Sequence, residues 1–491
     1  MARFAFRECS SLPQEGQGED SVGHMVNPMT AQRHAFGAVR AWTMIGVLSI
    51  LFVVSMVDRF ALGLLVEPLK RDLGVSDVQL GFLFGSAFAI FYGIMTIPLA
   101  RLADRGNRIR LIVFAVLLWS LCTIASGFAT SFPMLILLRI GLAIGEAALV
   151  PATYSLIADA LPAERRTLGG AVFNCFGMAG ASAAYLIGAA AITIANSAQG
   201  TGYFADLRDW QAVFIIIGLP GIFLALVFAA SAREPSREAV PVALEARSFS
   251  EVLRFMRSHG WLYPGLFIGA GCLVLGANGF LAWTPAYLSR AYGMSTIEGG
   301  QLFGMYNLLA FIAASLAVPL ACMWGSRYRR DIIVIAGMAC AILSTLSLVM
   351  AVLQPTHEYF LFYTFAGMFF AVGGASNTIS SFHKLTPPHM RATLTSMLLI
   401  FLTTVALGLA PPLVGDLSNR FGTGNAALGV GLGLVSAFGG AISLLLFWAA
   451  RKSVLRYLDA SGDQSTVGAM PAKTAETNCR PCIPSEQQIN A

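Results

Sequence analysis

Four ionisable side chains stand inside runs of sequence that are otherwise apolar: Asp58 and Arg59 in FVVSMVDRFALGLLV, Arg139 and Glu146 in MLILLRIGLAIGEAALVP. If those runs cross a bilayer, each charge costs about 3 kcal/mol by insertion scales, and such groups face protein or water and mark ion or substrate paths. Arg139 and Glu146 are seven residues apart. That is two helical turns, so both leave one helix face about 10 Å apart along the axis. Asp58 and Arg59 are neighbours and point about 100° apart, so each needs partners on other helices. Arg139 and Glu146 are the candidates.

The chemistry open to these groups is proton transfer and anion binding. Burial and a nearby guanidinium pull the pKa of Asp58 in opposite directions and can leave it titratable in the working range. It is then a proton-coupling carboxylate, against the alternative of a permanent structural ion pair. Glu146 is either a second proton site or the partner that holds Arg139. Arg59 and Arg139 can each bind a phosphate or carboxylate in two-pronged fashion, or they serve only to balance the acids. In an exchange mechanism the carboxylate holds the arginine until substrate displaces it. Gly141 and Gly145 leave part of their helix without side chains, so a neighbour can pack close.

The elements that carry these residues follow from composition. The chain has 491 residues, 56% hydrophobic and 12% charged, with a mean hydropathy of +0.70. Soluble domains run near about 25% charged, so an all-α polytopic membrane protein is predicted. Twelve apolar runs of spanning length are predicted between 42 and 450, the eleventh at 392–415. The longest interruption divides them six and six. The predicted organisation is a cytoplasmic tail over 1–41, a six-helix bundle over 42–231, a cytoplasmic central loop over 232–260, a second bundle over 261–452 and a disordered cytoplasmic tail over 453–491. No cleaved signal peptide is expected, because residues 1–40 lack an apolar core ending at a cleavage site.

Lys and Arg in the loops set orientation. Sixteen, including Arg101, Arg108, Arg257, Arg329 and Arg391, fall on one side; five, Lys70, Arg71, Arg208, Arg290 and Arg420, fall on the other. Both termini are therefore expected in the cytoplasm, as an even span count also requires.

Two six-helix halves joined by a cytoplasmic loop resemble the major facilitator fold. Ala100-Arg-Leu-Ala-Asp104-Arg105-Gly106-Asn107-Arg108 is similar to that superfamily's G-x-x-x-D-R-x-G-R loop, with Ala100 in place of the first glycine. Asp104, Arg105 and Arg108 are candidates for a gating-loop clamp through charge-assisted hydrogen bonds, with Glu164, Arg165 and Arg166 beside them. The second-half loop, Ala321 to Arg330, lacks the acid, so no matching clamp is expected there. Val57-Asp58-Arg59-Phe60, Glu67-Pro68-Leu69-Lys70, Gly81 to Arg108, Arg139 to Ala147 and Pro162 to Arg166 together resemble the spinster branch. That resemblance is specific over residues 50–180 and looser afterwards. It implies transport of amphiphilic lipids such as lysophospholipids or sphingoid phosphates, often coupled to protons.

The second half carries no charge at depth. Its candidate substrate-facing groups are Asn278, Trp283, Tyr287, Tyr306 and Asn307. A cavity charged on one wall and apolar-aromatic on the other suits an anionic head with an apolar body. A soluble organic anion or a drug-like compound is the alternative cargo. The expected setting is a monomer in a bacterial inner membrane, exchanging protons and a small-molecule or lipid substrate, with membrane lipids around it and no nucleic acid. No cofactor or metal is expected: the Cys479/Cys482 pair lacks a second ligand pair. His383 and His389 flank a helix end and are read as solvated. The sequence shows no G-x-x-x-x-G-K-[ST] loop for ATP and no paired-His or Ser/His/Asp set for enzymatic catalysis.

Overall fold

The computed structural model describes residues 28–200, 207–236, 249–329, 331–387, 401–422 and 424–467, together with Met390, Leu394, Met397 and Leu398. The first half holds α1 (Pro28–Phe60), a 3-10 turn (Ala61–Leu65), α2 (Val66–Leu73), α3 (Asp77–Phe84), α4 (Ser86–Arg105), α5 (Arg108–Ser126), α6 (Phe132–Glu146), α7 (Leu149–Ala160), α8 (Ala163–Gly200) and α9 (Asp209–Ser231). The second holds α10 (Phe249–Ser258), α11 (Leu262–Tyr292), α12 (Thr296–Gly325), α13 (Ile332–Ala351) and α14 (His357–Leu385). A π-helical turn (Leu402–Leu407), a helix over Gly408–Phe421 and a final helix over Ala427–Val467 complete it. Among the described residues, eleven helices are long and apolar enough to cross a membrane. The span predicted at 392–415 lies partly outside the described residues, as do Cys479 and Cys482. The region 232–260 is not loop throughout, since α10 occupies part of it, and the last helix continues past 452 to Val467.

Helix ends fall where the sequence offers caps. Ser76 and Gln79 form a capping box at the start of α3, Asn107 accepts from the Arg110 amide, and Ser295 from that of Glu298. Gly74 and Gly293 take left-handed φ values of 63° and 68° just past α2 and α11. Three first-half spans are interrupted along their length. The first tightens into the 3-10 turn after Phe60, the second is interrupted at Gly85 between α3 and α4, and the fourth at Ala147–Ala148 between α6 and α7. By contrast, α11 and α12 run unbroken for 31 and 30 residues.

The apolar core tells how the halves meet. One cluster joins them: Val57, Leu62, Leu80 and Phe84 pack with Phe280, Trp283, Phe303 and Val414. The others stay within one half apart from Leu407, which joins the first-half group. Ala41, Ala103, Trp119 and Phe228 belong to one, Val252, Phe267, Phe382 and Val454 to the other. The halves are thus closed together on the face bearing Asp77 and Arg290, and have separate cores on the face bearing Arg108 and Asp331. At the closed face the backbones nearly touch. A Cβ on Gly415 would lie 2.6 Å from the Asp77 carbonyl oxygen, and one on Gly81 2.5 Å from that of Pro411.

Candidate functional site

The broken ends of α1 and α6 bring the four charges together where the shared core gives way to the first-half core. Asp58 is 1% exposed, Arg59 8%, Arg139 5% and Glu146 1%. Arg59 Nη2 donates to Glu146 Oε2 at 2.6 Å. Arg139 does not pair with Glu146; its Nη1 and Nη2 donate to the backbone carbonyls of Asp58 and Arg59 at 2.9 and 2.8 Å. Those carbonyls lie in the last turn of α1, where helix acceptors lack intrahelical donors and the dipole is negative. Arg139 therefore caps the break.

Neither oxygen of the Asp58 carboxylate has a hydrogen-bond partner among the described residues, nor do Arg59 Nε, Arg139 Nε or Glu146 Oε1. Thr123 lies beside Asp58, but its hydroxyl donates to the Trp119 carbonyl. A buried carboxylate without hydrogen bonds is costly as an anion. The guanidiniums are held instead by an aromatic floor. Arg59 Cζ is 4.2 Å from the centre of the Phe88 ring and 5.1 Å from that of Tyr92, and Arg139 Cζ is 5.5 Å from Phe88. Phe88 and Tyr92 had no signal beyond helical spacing, since a buried aromatic in a span reads as packing. Arg59 also lines a small cavity between the halves with Phe60, Gly63, Phe84, Ala282 and Pro411.

The predicted second-half groups divide. Asn307 reaches across the halves, donating to Ser182 Oγ at 2.8 Å, and Trp283 does so through its tilted contact with Phe84. The indole N–H of Trp283 is committed to the Pro411 carbonyl. Asn278 donates to Val274 in its own helix. Tyr287 is turned into its own bundle, with its hydroxyl on the Val352 carbonyl and its ring against Phe360. Tyr306 is partly buried against the shared core.

On the Arg108 face, the predicted gating-loop residue Arg108 is an ion-pair centre. It pairs with Asp159 at the end of α7, and with Glu234 after α9 at 2.6 Å. Asp104, Arg105, Glu164 and Arg165 are exposed, and Arg166 donates to the Leu161 carbonyl; among the described residues no ion pair joins Asp104 to Glu164, Arg165 or Arg105. The second-half loop does have a clamp, contrary to expectation. Its acid is Asp331, which follows the arginines and binds Arg451 of the final helix at 2.7 Å and Arg329 at 3.1 Å. Burial works to raise the Asp331 pKa, and the hydrogen bonds from the two arginines overcome it, holding the carboxyl below its ordinary range. The halves thus use one joint with signs exchanged: arginine at the start of α5 on a glutamate after α9, aspartate before α13 on an arginine of the final helix.

On the Asp77 face an ion network ties the halves together. Arg290 at the end of α11 donates from Nη1 and Nη2 to both oxygens of Asp77 at 2.8 and 2.9 Å, and from Nε to Glu67 at 2.6 Å. Lys70 adds a bond to Asp77 at 2.9 Å. By position along the chain alone, Lys70 and Arg290 read as loop charges. The available signal was an acid at the first position of a capped helix, opposite an isolated arginine.

Comparison with known proteins gives three findings. The family model of the Major Facilitator Superfamily matches residues 48–405. An MFS-type efflux pump of Mycolicibacterium smegmatis is 30% identical over 86% of this chain and 94% of its own length, and a probable galactarate/D-glucarate transporter of Bacillus subtilis is 26% identical over 86% and 95%. The crystal structure of a bacterial homolog to the human lysosomal transporter Spinster, inward-facing and unoccupied, is similar with a TM-score of 0.77 at 22% identity, covering 85% of this chain and 98% of that one.

Proposed function

The chain belongs to the major facilitator superfamily, a family of transporters and not of enzymes, and from that premise we propose that it is a proton-coupled carrier of an anionic, amphiphilic substrate. Asp58, with Glu146 as its second acid, takes the coupling proton. Arg59 takes the anionic head, and the carrier works as a monomer in a bacterial inner membrane. The excess of arginine in its loops supports a cytoplasmic position for the Arg108 face and both termini, on which reading the described state is the one closed to the exterior.

The observation that carries the reading is the position of Arg59. It lies between Glu146 and an inter-half cavity whose other walls are apolar. Protonation of Glu146 frees the guanidinium for a phosphate or carboxylate, and loss of the substrate returns it. Arg139, spent on the α1 carbonyls, supports the fold of this exchange and does not bind the anion. A soluble organic anion is the second reading, favoured by the relative named as a galactarate/D-glucarate transporter.

Purified protein in liposomes, given labelled lysophospholipids, sphingoid phosphates and soluble dicarboxylates with and without a pH gradient, separates these readings. Asp58→Asn is expected to abolish gradient-driven uptake while leaving the protein inserted. Full gradient-driven uptake by that variant removes Asp58 from the mechanism.

A further inference from the structure

We infer that protons reach Asp58 from the Asp77 face through the interior of the first bundle, by way of Ser126 and Thr123, and not through the space between the halves. The inference rests on the reading of Asp58 as the coupling acid. A small cavity inside the first bundle is lined by Thr123, Ser126 and Arg139, among Leu62, Leu135 and Phe214. Both hydroxyls belong to α5, which ends at Ser126 on the Asp77 face. Each donates to its own helix, Thr123 to the Trp119 carbonyl at 3.1 Å and Ser126 to the Cys122 carbonyl at 2.8 Å. Their lone pairs remain as acceptors.

The spacing and polarity suit a short water file. Residues three apart on a helix have Cβ atoms about 5–6 Å apart, the span of one bridging water. A water beside Thr123 would accept from the unpartnered Arg139 Nε–H. It would donate to Thr123 and to the unpartnered Asp58 carboxylate, giving the roughly three bonds that a buried water needs. The groups facing Asp58 are Arg139 and Glu146 from α6, Thr123 from α5 and Arg59 on its own helix. Tyr92 of α4 stands behind Arg59. Tyr185 of α8 is committed to the Leu281 carbonyl, and α9 from Val213 to Phe228 has no ionisable side chain. Along the proposed file the hydroxyl oxygens of Thr123 and Ser126 thus position the waters by accepting from them; the water at Thr123 gives a proton to Asp58 and takes one from the next water, while the hydroxyl protons stay on their own helix carbonyls. The inter-half route on this face is shut by Arg290, Asp77 and Glu67. Proton and substrate would use separate doors.

Thr123→Val keeps the shape and deletes the acceptor that holds the delivering water. In liposomes loaded with a pH dye and given a fluorescent anionic lysophospholipid, Thr123→Val is expected to slow proton-driven uptake and proton entry by about 100-fold, the lower end of what a positioned proton-transfer group contributes. Substrate counterflow, which needs no net proton movement, stays at the parent rate, and Thr123→Ser restores the coupled rate. Unchanged proton-driven uptake in Thr123→Val overturns the route. So does a parallel loss of counterflow, or failure of Thr123→Ser to rescue, since either makes Thr123 structural. Full gradient-driven uptake by Asp58→Asn in the same assay instead overturns the parent reading.

Discussion

Removing Arg290 should open the closed face. Its side chain is 15% exposed and grips Asp77, 5% exposed, with two parallel hydrogen bonds; Glu67 is 37% exposed, so its pair is discounted for solvent screening. Arg290→Ala leaves Asp77 with Lys70 alone. A bidentate, charge-assisted pair with one partner buried is worth about 2 kcal/mol at this depth. The pair spans the two halves, so it exists only when the face is closed, and its whole value falls on the closed-to-open equilibrium. About 2 kcal/mol corresponds to roughly a 30-fold shift toward the state open on the Asp77 face. Spin labels at Thr130 and Glu298, exposed positions on opposite halves of that face, report it by pulsed dipolar spectroscopy. The long-distance population should grow in Arg290→Ala, and partly also in the parent at high salt, where exposed charges are screened. Identical distance distributions in parent and variant would refute the argument that this network holds the face shut.

Two further outcomes follow from the geometry. Arg139→Ala should reduce transport of anionic and neutral substrates alike, because the lost bonds hold the end of α1; selective loss of anion transport, measured in the liposome assay, would move Arg139 into the binding site. Asp331, with its pKa held below the usual carboxylate value, contributes stability that is present above the unfolded pKa of about 3.9 and lost as pH falls through the lower folded value. Asp331→Asn should therefore lower the melting temperature in detergent near neutrality and flatten its decline below about pH 4, and an unaltered acid limb would refute that assignment.

Much of the fold was readable because a bilayer is a harsh filter: apolar runs of spanning length and four charges inside them stand out against their cost. Asp58, Arg59, Arg139 and Glu146 do lie together in space. Their partnering was only partly legible, since Arg139 spends its donors on backbone carbonyls exposed by a helix break that no residue pattern announced. The clamp at Asp331 was missed because the acid lies after Arg329 and not before it. The network at Arg290 was hidden by separation along the chain, its partners being 213 and 223 residues away. Tyr287 was read as a cavity residue from its type, whereas its hydroxyl is satisfied inside its own bundle.

The unequal treatment of the two bundles has a mechanical meaning. Helix breaks at Phe60, Gly85 and Ala147 cluster around the ionisable groups, while α11 and α12 stand opposite without interruption. If the proposed coupling holds, a proton arriving at that crossing would change charge where the helices of one bundle are interrupted, tying chemistry to shape there and leaving α11 and α12 as the abutment.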